Sequence, residues 1–209
     1  MENKETFSVC LGRQLGSGGR EIAQNIAERL HLKFYDKELI SIAASKSGYS
    51  HELFEKSDEE KSIIHSFFTN FIPFLGSTDF YGNQVDEESL FFILSQTIRE
   101  LAEADNCIFV GRCAEYILRE KKRMTSVFIS ADAADRIDRI CKLKNISREE
   151  ARKALVNNDK HRSSFHNFYS EKRWGEASTY ELCINSSKLG IERTEDFIEN
   201  YIKTRFGLQ

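Results

Sequence analysis

The chain has 209 residues, which at roughly 150 residues per domain leaves room for one α/β domain with a substantial insertion rather than two independent domains. With 40% apolar and 30% charged residues, and 30 Lys+Arg against 33 Asp+Glu for a net charge of −3, it reads as a soluble core-forming protein and not as a broadly basic nucleic-acid binder. One proline and 11 glycines exclude collagen-like and proline-rich disordered classes, and no stretch approaches the ~20 apolar residues that span a bilayer.

The opening Met1-Glu2-Asn3-Lys4-Glu5 is charged with no apolar signal core behind it, so a cytoplasmic protein is expected. Phe7, Val9 and Leu11 alternate with Ser8 and Cys10, which predicts a strand feeding a glycine-rich loop. Ile22, Ala23, Ile26, Ala27 and Leu30 then recur at helical spacing. Lys33-Phe34-Tyr35 reads as a second strand, followed by a helix through Leu39, Ile40 and Ala43. Residues 48–86, with acidic and aromatic residues and the single Pro73, read as a mostly helical insertion. Asp86 is placed to cap a long helix with a stripe of Leu90, Ile93, Leu94, Ile98 and Leu101.

Cys107-Ile108-Phe109-Val110 is apolar without alternation, as suits a strand buried on both faces of a parallel sheet. A helix over 113–120, a strand over 125–130 and a helix over 132–144 follow. Ser147 and Glu150 have capping-box spacing and open another helix. The charged and aromatic stretch 157–174 shows no clear core pattern. A last strand over 180–185 precedes an amphipathic helix capped by Thr194 and carrying Phe197, Ile198, Tyr201 and Ile202. This alternation predicts a doubly wound, mostly parallel sheet, whose ligands bind at the carboxyl ends of the strands.

The five cysteines show no CxxC spacing and the five histidines no HxH or HExxH pattern, so reduced thiols are expected and a structural zinc site has little support. Cys113 beside Arg112 has no resolving partner nearby in sequence that would mark a redox switch.

Chemistry concentrates at those strand ends. Gly16-Ser17-Gly18-Gly19-Arg20 lies between a strand and a helix. Small residues there let backbone N–H groups and a helix N-terminus wrap an anion, or else form a close-packed turn. The run is not a regular G-x-x-x-x-G-K-[ST] loop. With Gly18 as its second glycine, Arg13 stands at the first, Gly19 at the lysine and Arg20 at the Ser/Thr, so Arg13 or Arg20 must supply the charge.

Arg112 directly follows a buried strand and is placed to hold a phosphate bidentately or to pair with a nearby Glu. Arg136 and Arg139 share a helix face. With Asp159 and Arg162 they make either an arginine clamp over a triphosphate or part of a solvated charged surface. Asp36 closes the second strand, where it orients an acceptor or caps the next helix.

The run Gly12-Arg13-Gln14-Leu15-Gly16-Ser17-Gly18-Gly19-Arg20-Glu21-Ile22-Ala23 resembles the opening of the bacterial cytidylate kinase-like proteins, a divergent branch of the P-loop nucleoside monophosphate kinases. The likeness continues through Phe34-Tyr35-Asp36-Lys37-Glu38-Leu39, Phe109-Val110-Gly111-Arg112, Asp159-Lys160-His161-Arg162 and the stretch 180–190. It implies a P-loop NTPase-like three-layer α/β/α domain over 1–209 with a five-stranded parallel sheet. A monophosphate-binding insertion near 40–100 and a lid near 145–175 are also implied. So are ATP with Mg²⁺ and nucleotide substrates. Residues 16–21 and Arg13 would then hold the donor, Asp36 and Arg112 the acceptor, and Arg136, Arg139, Asp159 and Arg162 the migrating phosphoryl.

The chain departs from the better-known cytidylate kinases at several positions. Their D-[ST]-G becomes Asp36-Lys37-Glu38, an acceptor arginine becomes Ile42, their G-R-D becomes Gly111-Arg112-Cys113, and Leu155 and Val156 replace the first pair of the lid motif. The leading expectation is ATP-dependent phosphoryl transfer to a nucleoside monophosphate. The alternatives are a nucleotide-binding regulator without turnover and a small-molecule kinase with another acceptor. Phe67, Phe68, Phe71, Phe74, Phe80 and Tyr81 would line a less polar pocket, a core or a homodimer interface. Nucleic acid and membrane are not expected as partners.

Overall fold

The computed structural model describes residues 5–37, 39, 42–43 and 87–208. Five parallel strands, β1 (Ser8–Arg13), β2 (Lys33–Tyr35), β3 (Cys107–Val110), β4 (Met124–Ser130) and β5 (Leu182–Asn185), form one sheet in the order β2-β3-β1-β4-β5. Registers such as Leu11 opposite Val110 and Arg13 opposite Ile129 bring the carboxyl ends of β1, β3 and β4 to one edge. The chain leaves β1 toward β2 on one side and leaves β4 toward β5 on the other. The crevice between β1 and β4 is therefore the topological switch point.

Period-2 side-chain alternation splits the core in two. Val9, Leu11, Ile108, Val110, Val127 and Ile129 face α1 (Gly19–Arg29) and α7 (Ile191–Phe206), where Ile22, Ile26, Ile198 and Ile202 meet them. Cys10, Cys107 and Phe109 face α2 (Glu87–Ala104) and α3 (Ala114–Ile117), packing with Leu94, Ile98, Leu39 and Ala43. Helices α4 (Ala133–Lys144) and α5 (Arg148–Ser170) share a small core of Ile137, Ile140 and Ala151. A one-turn α6 (Ser186–Leu189) follows β5.

Most predicted elements are present, with four shifts of boundary. The first strand begins at Ser8 and runs to Arg13, because Gly12 and Arg13 still pair with Phe128 and Ile129. The helix expected over 113–120 is the single turn of α3, since Cys113 takes a left-handed conformation (φ 55°) and cannot begin it earlier. The last strand starts at Leu182, because Tyr180 still belongs to the turn after Ala177–Thr179, where its N–H bonds the Ala177 carbonyl. Thr194 does not cap α7. The helix starts at Ile191 with Gly190 as its N-cap, and the Thr194 hydroxyl donates back to the Gly190 carbonyl at 2.5 Å.

The Ser147–Glu150 capping box forms as predicted, and α5 runs unbroken to Ser170. Asp86, the expected insertion over 48–86 and its aromatic residues lie outside the described residues. All five cysteines are free thiols. Among the described residues no helix is long and apolar enough to cross a membrane.

Ile98 is wholly buried between α2 and the sheet. Ile98→Ala should cost about 2–5 kcal/mol of unfolding free energy in urea titration. A loss below about 1 kcal/mol would mean that the second core does not hold α2 on the sheet.

Candidate active site

The loop after β1 is fastened at both sides of the switch point. Gln14 N–H donates to the Ile129 carbonyl at 3.0 Å, and its side-chain oxygen accepts from Ala131 N–H at 3.2 Å. The buried Ser186 hydroxyl donates to the Ser17 carbonyl at 2.7 Å and lies 3.2 Å from the Ser130 carbonyl. Gly16 and Gly18 both have φ 78°, where a side chain is strained. A Cβ at Gly16 would also stand 2.7 Å from the Arg136 carbonyl oxygen. The glycine pattern thus serves close packing of the loop.

The first intrahelical bond of α1 runs from Ile22 N–H to the Gly18 carbonyl. The N–H groups of Gly18, Arg20 and Glu21 consequently have no partner within the helix, while that of Gly19 reaches Ser17 Oγ at 3.3 Å. These donors sit at the positive end of the helix dipole. The Glu21 side chain is exposed in that first turn.

The arginines of α4 and α5 converge on the same loop instead of facing solvent. Arg136 is buried, donates to the Leu15 carbonyl at 2.7 Å and pairs with Asp159. Asp159 also accepts from Leu15 N–H at 2.9 Å. Arg139 donates to the Gly16 carbonyl at 2.6 Å, and Arg162 to the Arg13 carbonyl at 3.1 Å. Asp159 and Arg162, three residues apart on α5, are both carried to the loop by the helix that the capping box opens. The aromatics near Arg162 divide their work. Tyr169 stacks on Phe91 of α2 with ring centroids 3.8 Å apart, Phe165 meets the same ring edge-on at 6.1 Å, and Phe168 is exposed.

On the other side of the loop, Asp36 is almost fully buried and receives two guanidiniums, Arg13 Nη2 at 3.1 Å and Arg20 Nε at 2.8 Å. The side chain of Arg20 is half exposed and lies over Phe34. Arg13 reaches across to Gly111, where a Cβ would run into its Nη1. Gly111, Arg112 and Cys113 all have positive φ (78°, 61° and 55°). Two consecutive non-glycine residues in that region cost about 1–2 kcal/mol each, strain of the kind that gathers at ligand clamps.

The electrostatics show a common field. Burial first, and the neighbouring Arg13 second, draw Arg162 down to about 9, while Asp159 and Asp36 oppose the shift. Burial and Arg13 draw Arg112 down to about 10, against the pull of Asp36. Arg13 is itself lowered, mainly by burial, and Asp36 offsets part of it. Arg112 and Arg162 are thus both held beside the like charge of Arg13. The Cys113 thiol, in contrast, is pushed well up by burial and by Glu115, which leaves it protonated and unsuited to thiolate redox chemistry.

Such a concentration of guanidiniums around a glycine loop and a helix N-terminus is the chemistry of a phosphate site. The chain belongs to the cytidylate kinase-like family. Its family model matches residues 8–188. An uncharacterized protein from Eubacterium ventriosum has a structure similar to this chain, with a TM-score of 0.70 and 26% identity over 95% of this chain and 99% of that one. Shikimate kinase from Bacteroides thetaiotaomicron matches at a TM-score of 0.52 and 12% identity, covering 94% and 98% of the two chains. Shikimate kinase from Acinetobacter baumannii, solved in complex with shikimate, matches at 0.51 and 14%, covering 96% and 95%. These last two likenesses establish the fold alone. No curated protein matches the chain. Family and fold together support a nucleotide kinase-like function.

The candidate site residues read from the sequence carry their side chains, or for the glycines their backbone, to this one region, except Glu21, which turns outward; Arg20 reaches it through Asp36 while its side chain stays half exposed. Sequence reasoning missed Gln14 and Ser186. The only signal for Ser186 was its place just past the last strand, at the same sheet edge as the loop.

The cluster of arginines beside the N-terminus of α1 predicts anion stabilisation. Pyrophosphate at ~100 times its dissociation constant should add about 2.7 kcal/mol. For a chain of this size that is a rise in Tm of roughly 5–10 °C. Sodium chloride should weaken the effect. An unchanged Tm would remove the phosphate-site reading.

Proposed function

We propose that the protein transfers a phosphoryl group from ATP to a nucleoside monophosphate, with CMP the first acceptor to test. The observation that carries this reading is the gathering of Arg13, Arg112, Arg136 and Arg162 about the glycine loop and the turn after β3, at the carboxyl end of the sheet, where Asp36 pairs with Arg13 and Asp159 with Arg136. Phosphoryl transfer asks little covalent chemistry of a protein; positioning and charge neutralisation supply most of the rate.

The residues fit ATP. The N–H groups of Gly18, Arg20 and Glu21, which have no partner within the helix, would be the donors to the phosphates of ATP. Arg112, in the turn after β3, would hold the acceptor phosphate, and Arg162, which donates to the Arg13 carbonyl from α5, would meet the migrating group. Among the described residues no group of three or more His, Cys, Asp or Glu side chains gathers to hold an ion. A magnesium ion, which usually keeps several waters, would be held chiefly by the phosphates of ATP.

Bound ATP supplies the transferable phosphoryl, and this chain's residues align and neutralise it. Arg162 would exchange its bond to the Arg13 carbonyl for the migrating group's oxygens. Arg136 and Asp159, bonded to Leu15 from both sides, keep the loop in shape. The segment 145–175 would act as a lid that brings Arg162 in and excludes water. A second reading, a regulator that binds nucleotide without turnover, is favoured by one observation: the lysine position of the loop is Gly19 and the metal-hydroxyl position is Arg20.

The experiment is ADP formation from Mg-ATP across a panel of monophosphates including CMP, dCMP and UMP, with a no-acceptor control. Acceptor-dependent ADP is the expected outcome. ATP binding without ADP for any acceptor would favour the regulator. Arg162→Ala should lower turnover by ~10³-fold or more. A near-normal rate in that variant would strip Arg162 of its role.

A further inference from the structure

We propose that Arg13 and Gly19 have exchanged the places of cation and glycine in this loop, so that Arg13, from the first loop position, is the residue that contacts the donor phosphates. The inference rests on the ATP reading above and names the residue that carries its charge.

Gly19 begins α1, at the position where loops of this type carry a lysine. A Cβ on Gly19 would stand 2.6 Å from Arg13 Cβ and 3.2 Å from Arg13 Cγ. The stem of Arg13 therefore runs through the space that a side chain at 19 would use. Any larger residue at 19 would collide with it, and a glycine at 13 would leave that space empty. The two identities are coupled by volume.

The rest of the course of Arg13 is similarly prepared. The absence of a side chain at Gly111 leaves room for Arg13 Nη1, and Asp36 holds Nη2 at 3.1 Å. The guanidinium is mostly buried and lies between the end of β1 and the Gly111-Arg112 turn after β3. A cation there spans the donor side and the acceptor side. Asp36 uses one N–H of a five-donor fork, so the pair can position the group while it engages a phosphate. On this view Asp36 is a positioning residue for Arg13. Arg20 is the other arginine of the loop. It shares Asp36, through Nε at 2.8 Å, but its side chain is half exposed and lies over Phe34, and it is the stem of Arg13, not of Arg20, that a Cβ at Gly19 would meet.

The test has one arm without nucleotide and one with it. In thermal unfolding, Gly19→Ala should lower Tm in the natural background and lower it much less in an Arg13→Gly background. Purely additive shifts would show that the two residues do not share one space. In calorimetric titration with Mg-ATP and no acceptor, R13A should weaken Kd by ~10-fold or more, the scale of a lost charge-assisted contact. The R13G/G19K double variant should return to within about threefold of the natural protein. R29A, which removes the same charge at the far end of α1, should bind normally.

ATP binding by R13A equal to the natural protein would overturn the proposal. So would a folded R13G/G19K that binds no better than R13A. If the natural protein itself binds no ATP, the kinase reading fails, while the Tm arm still decides whether the two positions are exchanged.

Discussion

Burying guanidinium groups beside one another is unfavourable unless carboxylates, carbonyls or a bound anion compensate. That constraint organises this molecule. Burial, and after it the neighbouring Arg13, lower the proton affinity of Arg112 and Arg162 at the carboxyl end of the sheet. Among the described residues the compensation comes from Asp36 for Arg13 and Arg20, from Asp159 for Arg136, and from loop carbonyls for Arg136, Arg139 and Arg162. The same arginines give the loop its shape, because their donors grip the carbonyls of Arg13, Leu15 and Gly16. The side chains proposed to bind phosphate are thus the ones that set the loop's conformation.

The fold places that charge by simple means. Alternating side chains on β1 and β3 fill two apolar cores, which fixes the strand ends to one edge. The capping box at Ser147 starts a long α5, so Asp159 and Arg162 arrive at the loop on a rigid element. The left-handed turn at Gly111, Arg112 and Cys113 adds a local cost of roughly 2–4 kcal/mol for its two non-glycine residues. Burial of Cys113 and Ala114 holds that turn in place.

Much of this was legible in the sequence, for identifiable reasons. β3 was readable as a doubly buried strand because Cys107-Ile108-Phe109-Val110 lacks alternation, and all four residues are buried. The glycine loop was readable from its place between a strand and a helix. The choice between a surface face and a clamp at Arg136 and Arg139 was not, because helical spacing shows that two residues share a face but not what that face meets. Arg13 against Arg20 was equally undecidable, since the answer lies in the room left by Gly19 and Gly111. Thr194 misled because a threonine before an apolar stripe looks like a cap, whereas Gly190 opens the helix one turn earlier. Ser186 could not be found by motif: its hydroxyl matters only because β5 ends beside the loop.

The most direct test of the account is a crystal structure with a non-hydrolysable ATP analogue and CMP bound together. The account predicts the donor phosphates on the N–H groups at the start of α1. It also predicts the guanidiniums of Arg13, Arg112 and Arg162 within hydrogen-bond distance of phosphate oxygens. Phosphates bound elsewhere, or these arginines still turned onto carbonyls and carboxylates of the chain, would contradict it.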